Sequence, residues 1–428
     1  MHGITVAGAA SAGLDPDRLQ EAFSLLERWT EDGTLPGAAA LIARGGQIAG
    51  EAYLGLTAES GEEAVSDDTI WSLASITKPV TATAVMLLVE RGLFALDEPL
   101  ADLLPEFRHA PAVTVRPFQL HQGPAGVPAI PFERRAATVR QALSHSSGLP
   151  GFSEDNLDLR RAGRPLADFI RSFARQPLLC APGALHIYSN VAIGLAAEIV
   201  GRALEGTLGR EVAQPAIDSY HTFVQGAILT PLGMVGSAIP APPAWAARIA
   251  EVAGTGQEDT AWEMANSAYY RGLGIPWGGL FSRPRDLVRF VDLFLPAAGG
   301  VPRMAGATGT PLLSRPTVRA MTSVQAAPPD APPDLAPELR EGIPLIARAA
   351  VEWGLGWEIK GAKRRHPSGD LTAPATFGHS GASGTYAWAD PTADLVCVLL
   401  TNRASRSGWS DERPRQALFA NAVMAALR

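Results

Sequence analysis

Strand-like runs sit at both ends of this chain and helical patterns fill its middle, and that division constrains the fold more than any other feature of the sequence. Near the start, Gly37–Ala43 and Gln47–Leu54 are short β-compatible runs joined by Arg44-Gly45-Gly46, a hairpin signal. Near the finish, Gly384–Ala389 and Leu395–Thr401 are separated by the turn sequence Asp390-Pro391-Thr392. Between them, apolar spacing predicts helices around Thr77–Arg91, Thr138–Leu143, Leu166–Arg175, Val191–Leu204 and Arg285–Leu295. Two more helices, Pro16–Glu31 and Arg413–Leu427, flank the strand runs. The economical solution is an α+β fold: one antiparallel sheet made from the N- and C-terminal segments, flanked by helices, with a mostly helical lobe inserted. On this reading residues 1–75 and 350–428 form an α/β sheet domain, residues 76–349 form a mainly helical one, and the functional site lies at their interface.

The chain can build such a core. It has 428 residues, 46% of them hydrophobic and 18% charged, a globular balance that needs no staples. A formal net charge of −7 argues against nucleic acid as a partner. The two cysteines, Cys180 and Cys397, form no disulfide framework and are expected as buried thiols. The apolar start Ile4–Leu14 lacks a basic segment before it, and Asp15-Pro16-Asp17-Arg18 then opens a helix, so a cleaved signal is not favoured. No run is long enough to span a bilayer. A cytoplasmic location is expected, with a secreted or periplasmic one as the alternative. Two proline-rich stretches, Pro111–Phe132 and Ala326–Pro344, read as loops, and we expect them to border the cleft and set substrate preference.

Three short patterns carry chemistry. Ser75-Ile76-Thr77-Lys78 heads the apolar helix, and residues three apart on a helix share a face. A lysine in a dry site loses its proton and activates the serine hydroxyl, while the serine amide at a helix start stabilises an oxyanion. Alone, this pattern is common and equally describes a solvated helix start. Tyr188-Ser189-Asn190 then runs into the helix from Val191; a phenol relays protons, and a carboxamide holds a carbonyl or the lysine. The bland alternative is a capped helix with a packed tyrosine. Gly378-His379-Ser380-Gly381-Ala382-Ser383-Gly384, just before a strand, permits close substrate approach and a second oxyanion donor, or is simply a glycine-rich turn.

In this order and spacing, Ser75-x-x-Lys78, Tyr188-x-Asn190 and His379-Ser380-Gly381 resemble the three motifs of the class C β-lactamase-like family. That family includes β-lactamases, D-Ala-D-Ala carboxypeptidases, D-aminopeptidases and family VIII carboxylesterases. The stretches Thr138–Leu149 and Gly278-Gly279-Leu280-Phe281-Ser282 are also similar to it, and the likeness runs from about Leu19 to the C-terminus. The resemblance implies a β-lactamase/transpeptidase-like fold and an acyl-enzyme at Ser75. It implies that Lys78 and Tyr188 share the base role, and that Asn190, His379, Ser380 and Gly381 bind substrate. The amides of Ser75 and Ala382 form the oxyanion hole, and His145 is structural, shaping the helical lobe. No cofactor is implied.

One departure matters. Where β-lactamases of the family usually begin the third motif with lysine, this chain has His379, whose charge varies with pH. A Gly-x-Ser-x-Gly elbow, a His-x-His or His-Glu-x-x-His metal pattern and a dinucleotide loop are all missing from the sequence. The leading expectation is therefore a carboxylesterase for small or medium acyl esters, favoured by His379 and by the apolar Trp277/Phe281 region. A D-amino-acid peptidase, amidase or weak β-lactamase is the alternative, and a silent binding protein that keeps the fold comes third. The expected partner is a small ester or amide; the sequence leaves the oligomeric state open.

Overall fold

Gly45 and Gly46 both have positive φ, 62° and 74°, so the turn after Arg44 is the tight two-residue kind that matches strand twist. It pairs Arg44 with Gln47 and fixes the register of the hairpin formed by β2 (Gly37–Arg44) and β3 (Gln47–Gly55). The computed structural model describes residues 3–108, 137–256, 263–295, 311–326, 351–404 and 412–428. Both proline-rich stretches, apart from Ala326, lie outside the described residues. Around the hairpin grows a seven-stranded antiparallel sheet in the order β1-β3-β2-β9-β8-β7-β6. Its further members are β1 (Gly3–Thr5), β6 (Glu358–Ile359), β7 (Phe377–Gly381), β8 (Thr385–Asp390) and β9 (Leu395–Thr401). The N-terminal hairpin meets the C-terminal strands through β2 and β9, so the two ends of the chain close one sheet. Asp390 makes the β8–β9 turn by accepting the Thr392 and Ala393 amides at 2.8 and 3.1 Å.

Both faces of this sheet are covered, which explains why its strands read as nearly continuous apolar runs. Along β2, Ala38, Ala40 and Ile42 join one core, and Ala39, Leu41 and Ala43 join the other. The first core packs under helix α1 (Pro16–Glu31) through Leu19, Phe23 and Leu26, and under the C-terminal helix through Phe419 and Val423. Cys397 belongs to this core; it and Cys180 are buried free thiols, as expected.

The second, larger core surrounds α2 (Thr77–Glu90), in which every residue from Thr77 to Leu88 is buried. Packed around it are α3 (Val139–Leu143), α4 (Leu166–Ala174), α5 (Asn190–Glu205) and α6 (Ile217–Val224). Helix α7 (Pro284–Asp292) comes from the middle of the chain yet lies against β2 and β9. Helix α8 (Glu412–Ala425) ends the chain. The short pair β4 (Trp71–Ser72) and β5 (Phe281–Ser282) stands apart from the main sheet and fixes the approach to Ser75. Among the described residues, no helix is long and apolar enough to cross a membrane.

Candidate active site

Ser75 sits in a 3₁₀ turn, Ala74–Ile76, that runs straight into α2. Ala74 before it has φ of 45°, a backbone conformation that L-residues avoid and that persists only where its surroundings impose it. Ser75 is partly exposed, while Leu73, Ala74, Ile76, Thr77 and Lys78 are buried. Thr77 fastens the turn: its hydroxyl donates to the Ala74 carbonyl at 2.7 Å and accepts the Leu280 N–H at 3.0 Å.

One helical turn on, the Lys78 Nζ lies 2.9 Å from Ser75 Oγ and donates to the Trp277 carbonyl at 2.8 Å. The lysine side chain is fully buried, and among the described residues no carboxylate contacts it. Burial therefore pushes its pKa well below the ordinary lysine value, toward the neutral amine. That amine also lies 4.7 Å from the centroid of the Tyr188 ring.

The Tyr188 hydroxyl is 3.4 Å from His379 Nε2, and His379 Nδ1 is 2.8 Å from the Ser380 carbonyl. A carbonyl only accepts, so Nδ1 carries the proton and Nε2 is left to accept the phenol hydrogen. Burial lowers its pKa to about 3, so near neutral pH the ring is an uncharged imidazole.

The end of β7, the turn after it and the start of β8 are locked onto the segment before the serine. Ser383 Oγ donates to the Ser72 carbonyl at 2.6 Å, and Thr385 Oγ1 donates to the Leu73 carbonyl at 3.2 Å. A Cβ at Gly381 would stand 2.3 Å from the same Leu73 oxygen, so only glycine permits this approach. Ala382 is partly exposed between these anchors. The amide-bearing segments of Ser75 and Ala382 thus come from two pieces of chain fixed to each other.

Asn190 opens α5, whose cap is Ser189; the Ser189 hydroxyl accepts the Ala192 N–H at 2.9 Å. Asn190 is buried, and its own N–H donates to the Gly151 carbonyl at 3.0 Å. Among the described residues its carboxamide holds neither Lys78 nor any other group.

Several expectations shift here. His379, Ser380 and Gly381 lie on a strand, β7, rather than in a turn before one. The Trp277 indole and Phe281 are core: Trp277 packs on Phe173 with ring centroids 4.9 Å apart, and Phe281 joins Ile70, Ala241 and Ile249. Trp277 serves the site through its carbonyl instead. One ring escaped the sequence reading, and another, expected only to shape the helical lobe, stands at the site. Trp353 packs edge-on to His379 at 5.6 Å and to Tyr188 at 5.7 Å, and no motif marks it. His145 lies under Tyr188 at 4.4 Å. Among the described residues no cluster of three or more His, Cys, Asp or Glu could hold a metal ion.

The Beta-lactamase family model matches residues 22–421, nearly the whole chain. The chain belongs to the β-lactamase family. Its members are serine hydrolases, so the chain is a hydrolase with a β-lactamase-like fold. Esterase EstB of Burkholderia gladioli is 33% identical to this family member over 212 residues, which is 47% of this chain and 46% of the esterase. Penicillin-binding protein 4 of Amycolatopsis lactamdurans is 27% identical over 392 residues, 90% of this chain and 85% of that protein. The solved structure of a family VIII carboxylesterase superposes with a TM-score of 0.70 at 21% identity, covering 99% of this chain and 100% of the other, and shows the shared fold.

Proposed function

We propose that this protein is a carboxylesterase that hydrolyses small or medium acyl esters through an acyl-enzyme on Ser75. The observation that carries the reading is a serine hydroxyl 2.9 Å from a fully buried lysine amine that, among the described residues, no carboxylate contacts. Burial favours the unprotonated form of this amine, which is a base, and the serine hydroxyl lies within its reach. In the proposed sequence, Ser75 Oγ attacks the ester carbonyl carbon as its proton passes to Lys78 Nζ. The amides of Ser75 and Ala382 hold the oxyanion. The alkoxide leaves with a proton returned by Lys78, with Tyr188 sharing this role. Water then attacks the acyl-enzyme with the same pair as base, and the acid departs. Asn190, His379, Ser380 and Gly381 orient the substrate.

The ester preference is supported by His379. Its neutral ring, committed at Nε2 to Tyr188 and at Nδ1 to Ser380, gives the third motif no cation with which to hold a substrate carboxylate. Esterase EstB, similar over about half of this chain, supports the same reading. A second reading, hydrolysis of D-amino-acid peptides or β-lactams, is favoured by the nearly full-length match to penicillin-binding protein 4. We further propose a cytoplasmic location, which the two free thiols support. The division into a sheet domain of residues 1–75 with 350–428 and a helical domain of residues 76–349 is likewise a proposal; limited proteolysis with mapped fragments tests it.

Turnover of p-nitrophenyl acetate, butyrate and octanoate beside nitrocefin and a D-alanyl dipeptide distinguishes the readings, with Ser75→Ala as control. Ester turnover that vanishes in the variant is expected. Dominant nitrocefin or dipeptide cleavage would move the assignment to the second reading.

A further inference from the structure

The chain on either side of Tyr188 is fastened to one residue, His145. The Ile187 N–H donates to the His145 carbonyl at 2.7 Å, and the Ser189 N–H donates to His145 Nδ1 at 3.1 Å. Between those two bonds the imidazole lies against the phenol ring, with centroids 4.4 Å apart and planes tilted by 39°. The fastening is part of a longer seam. The Ser146 carbonyl accepts Gly183 N–H at 2.7 Å, the Pro150 carbonyl accepts Ser189 Oγ at 2.7 Å, and the Gly151 carbonyl accepts Asn190 N–H at 3.0 Å.

Two features set His145 apart within this seam. It is fully buried, and its φ is 58°, in the left-handed region where a histidine carries strain. A backbone N–H bonded to Nδ1 also fixes the tautomer: Nδ1 accepts, so the proton of the neutral ring is on Nε2. A residue needed only to turn the chain here would more cheaply be glycine or asparagine. A ring that accepts one flanking amide and supports the phenol requires histidine.

We propose that His145 is a positioning residue for Tyr188, holding its ring against Lys78 Nζ and its hydroxyl at His379. The proposal rests on the proton-transfer role given to Tyr188 above. It differs from a purely structural role in one respect: its effect on rate must pass through the phenol.

Two variants separate the contributions. His145→Asn tolerates the left-handed backbone and places a carbonyl oxygen near the Nδ1 position. His145→Phe keeps a ring under Tyr188 and loses the acceptor. Each is made alone and with Tyr188→Phe, and kcat and KM for p-nitrophenyl butyrate are measured per folded molecule. With Tyr188 present, we expect His145→Phe to lower kcat roughly tenfold to a hundredfold with KM within about twofold, the usual scale for a misplaced catalytic group. His145→Asn should recover most of that loss. In the Tyr188→Phe background, neither change should lower kcat further, since the group it positions is gone.

Equal fractional losses with and without the phenol would overturn the proposal, as would wild-type kcat in His145→Phe. If Tyr188→Phe alone left kcat intact, the role of Tyr188 would fall and the proposal with it. Should His145→Phe fail to fold, His145→Gln replaces it; its amide reaches past the Nδ1 position, and the same loss is expected.

Discussion

A lysine amine enclosed with no carboxylate against it among the described residues lowers its free energy by giving up its proton, and this couples Lys78 to pH as well as to Ser75. With its neutral form as the proposed base, activity should rise with pH as Lys78 deprotonates, along a limb centred well below the ordinary lysine value. The pH profile of kcat/KM for an uncharged ester checks this; a limb near that of free lysine would contradict it. Lys78→Ala should lower kcat by about 10²–10⁴, the range for loss of a positioned general base. His379 makes the complementary case. His379→Lys installs a cation but removes the acceptor of the Tyr188 hydroxyl. Relative kcat/KM should therefore rise for acidic substrates or β-lactams and fall for neutral esters, and unchanged selectivity would remove the neutral ring from the account.

The contact between β7 and the turn before Ser75 is where two elements decide the site's geometry. Gly381→Ala would bring a Cβ to 2.1 Å from Thr385 Oγ1 and 2.3 Å from the Leu73 carbonyl, so backbone must move. We expect a stability loss of about 1–3 kcal/mol, the usual scale for overpacking, and a drop in kcat from the displaced Ala382 amide. Chemical denaturation with parallel kinetics tests both; stability lost without kcat would show that the amide is not used. This contact was only half legible in the sequence. The glycines of the third motif mark close approach, but Phe377–Gly381 mixes glycine, histidine and serine and has no apolar alternation to mark a strand. Helices α1, α2 and α5 were legible within a residue or two, because their apolar spacing is long and their stops are clear. The clamp on Tyr188 was not. It depends on a left-handed backbone at His145 and on contacts between segments more than forty positions apart, as the His145–Ser189 bond shows.

Across the whole molecule, the sheet was readable from the strand runs at the two ends, whereas β1, β4, β5 and β6 are two or three residues long and leave no period to detect. The same burial that builds the site also sets the acid limit of the fold. Burial holds His145 well below the usual histidine value, His186 at about 4 and His379 at about 3. In the unfolded chain these rings take up protons below about pH 6.5, while in the folded protein they do not until their lowered values are reached. The unfolded state thus binds more protons in this window, and stability falls as pH drops. Each ring contributes about 1.4 kcal/mol per pH unit until its own folded value is passed. Denaturant midpoints measured between pH 7 and 4 should decline steeply, and His186→Phe should flatten the slope. A flat profile would mean that these rings are not buried as described.

Acid quenching during turnover of p-nitrophenyl butyrate shows which residue carries the acyl group, proposed here to be Ser75. A burst of p-nitrophenol is expected, with an intact mass raised by one butyryl group, mapped by peptide analysis to Ser75 and lost in Ser75→Ala. Steady turnover with the adduct on another residue, or undiminished turnover in Ser75→Ala, would contradict that proposal.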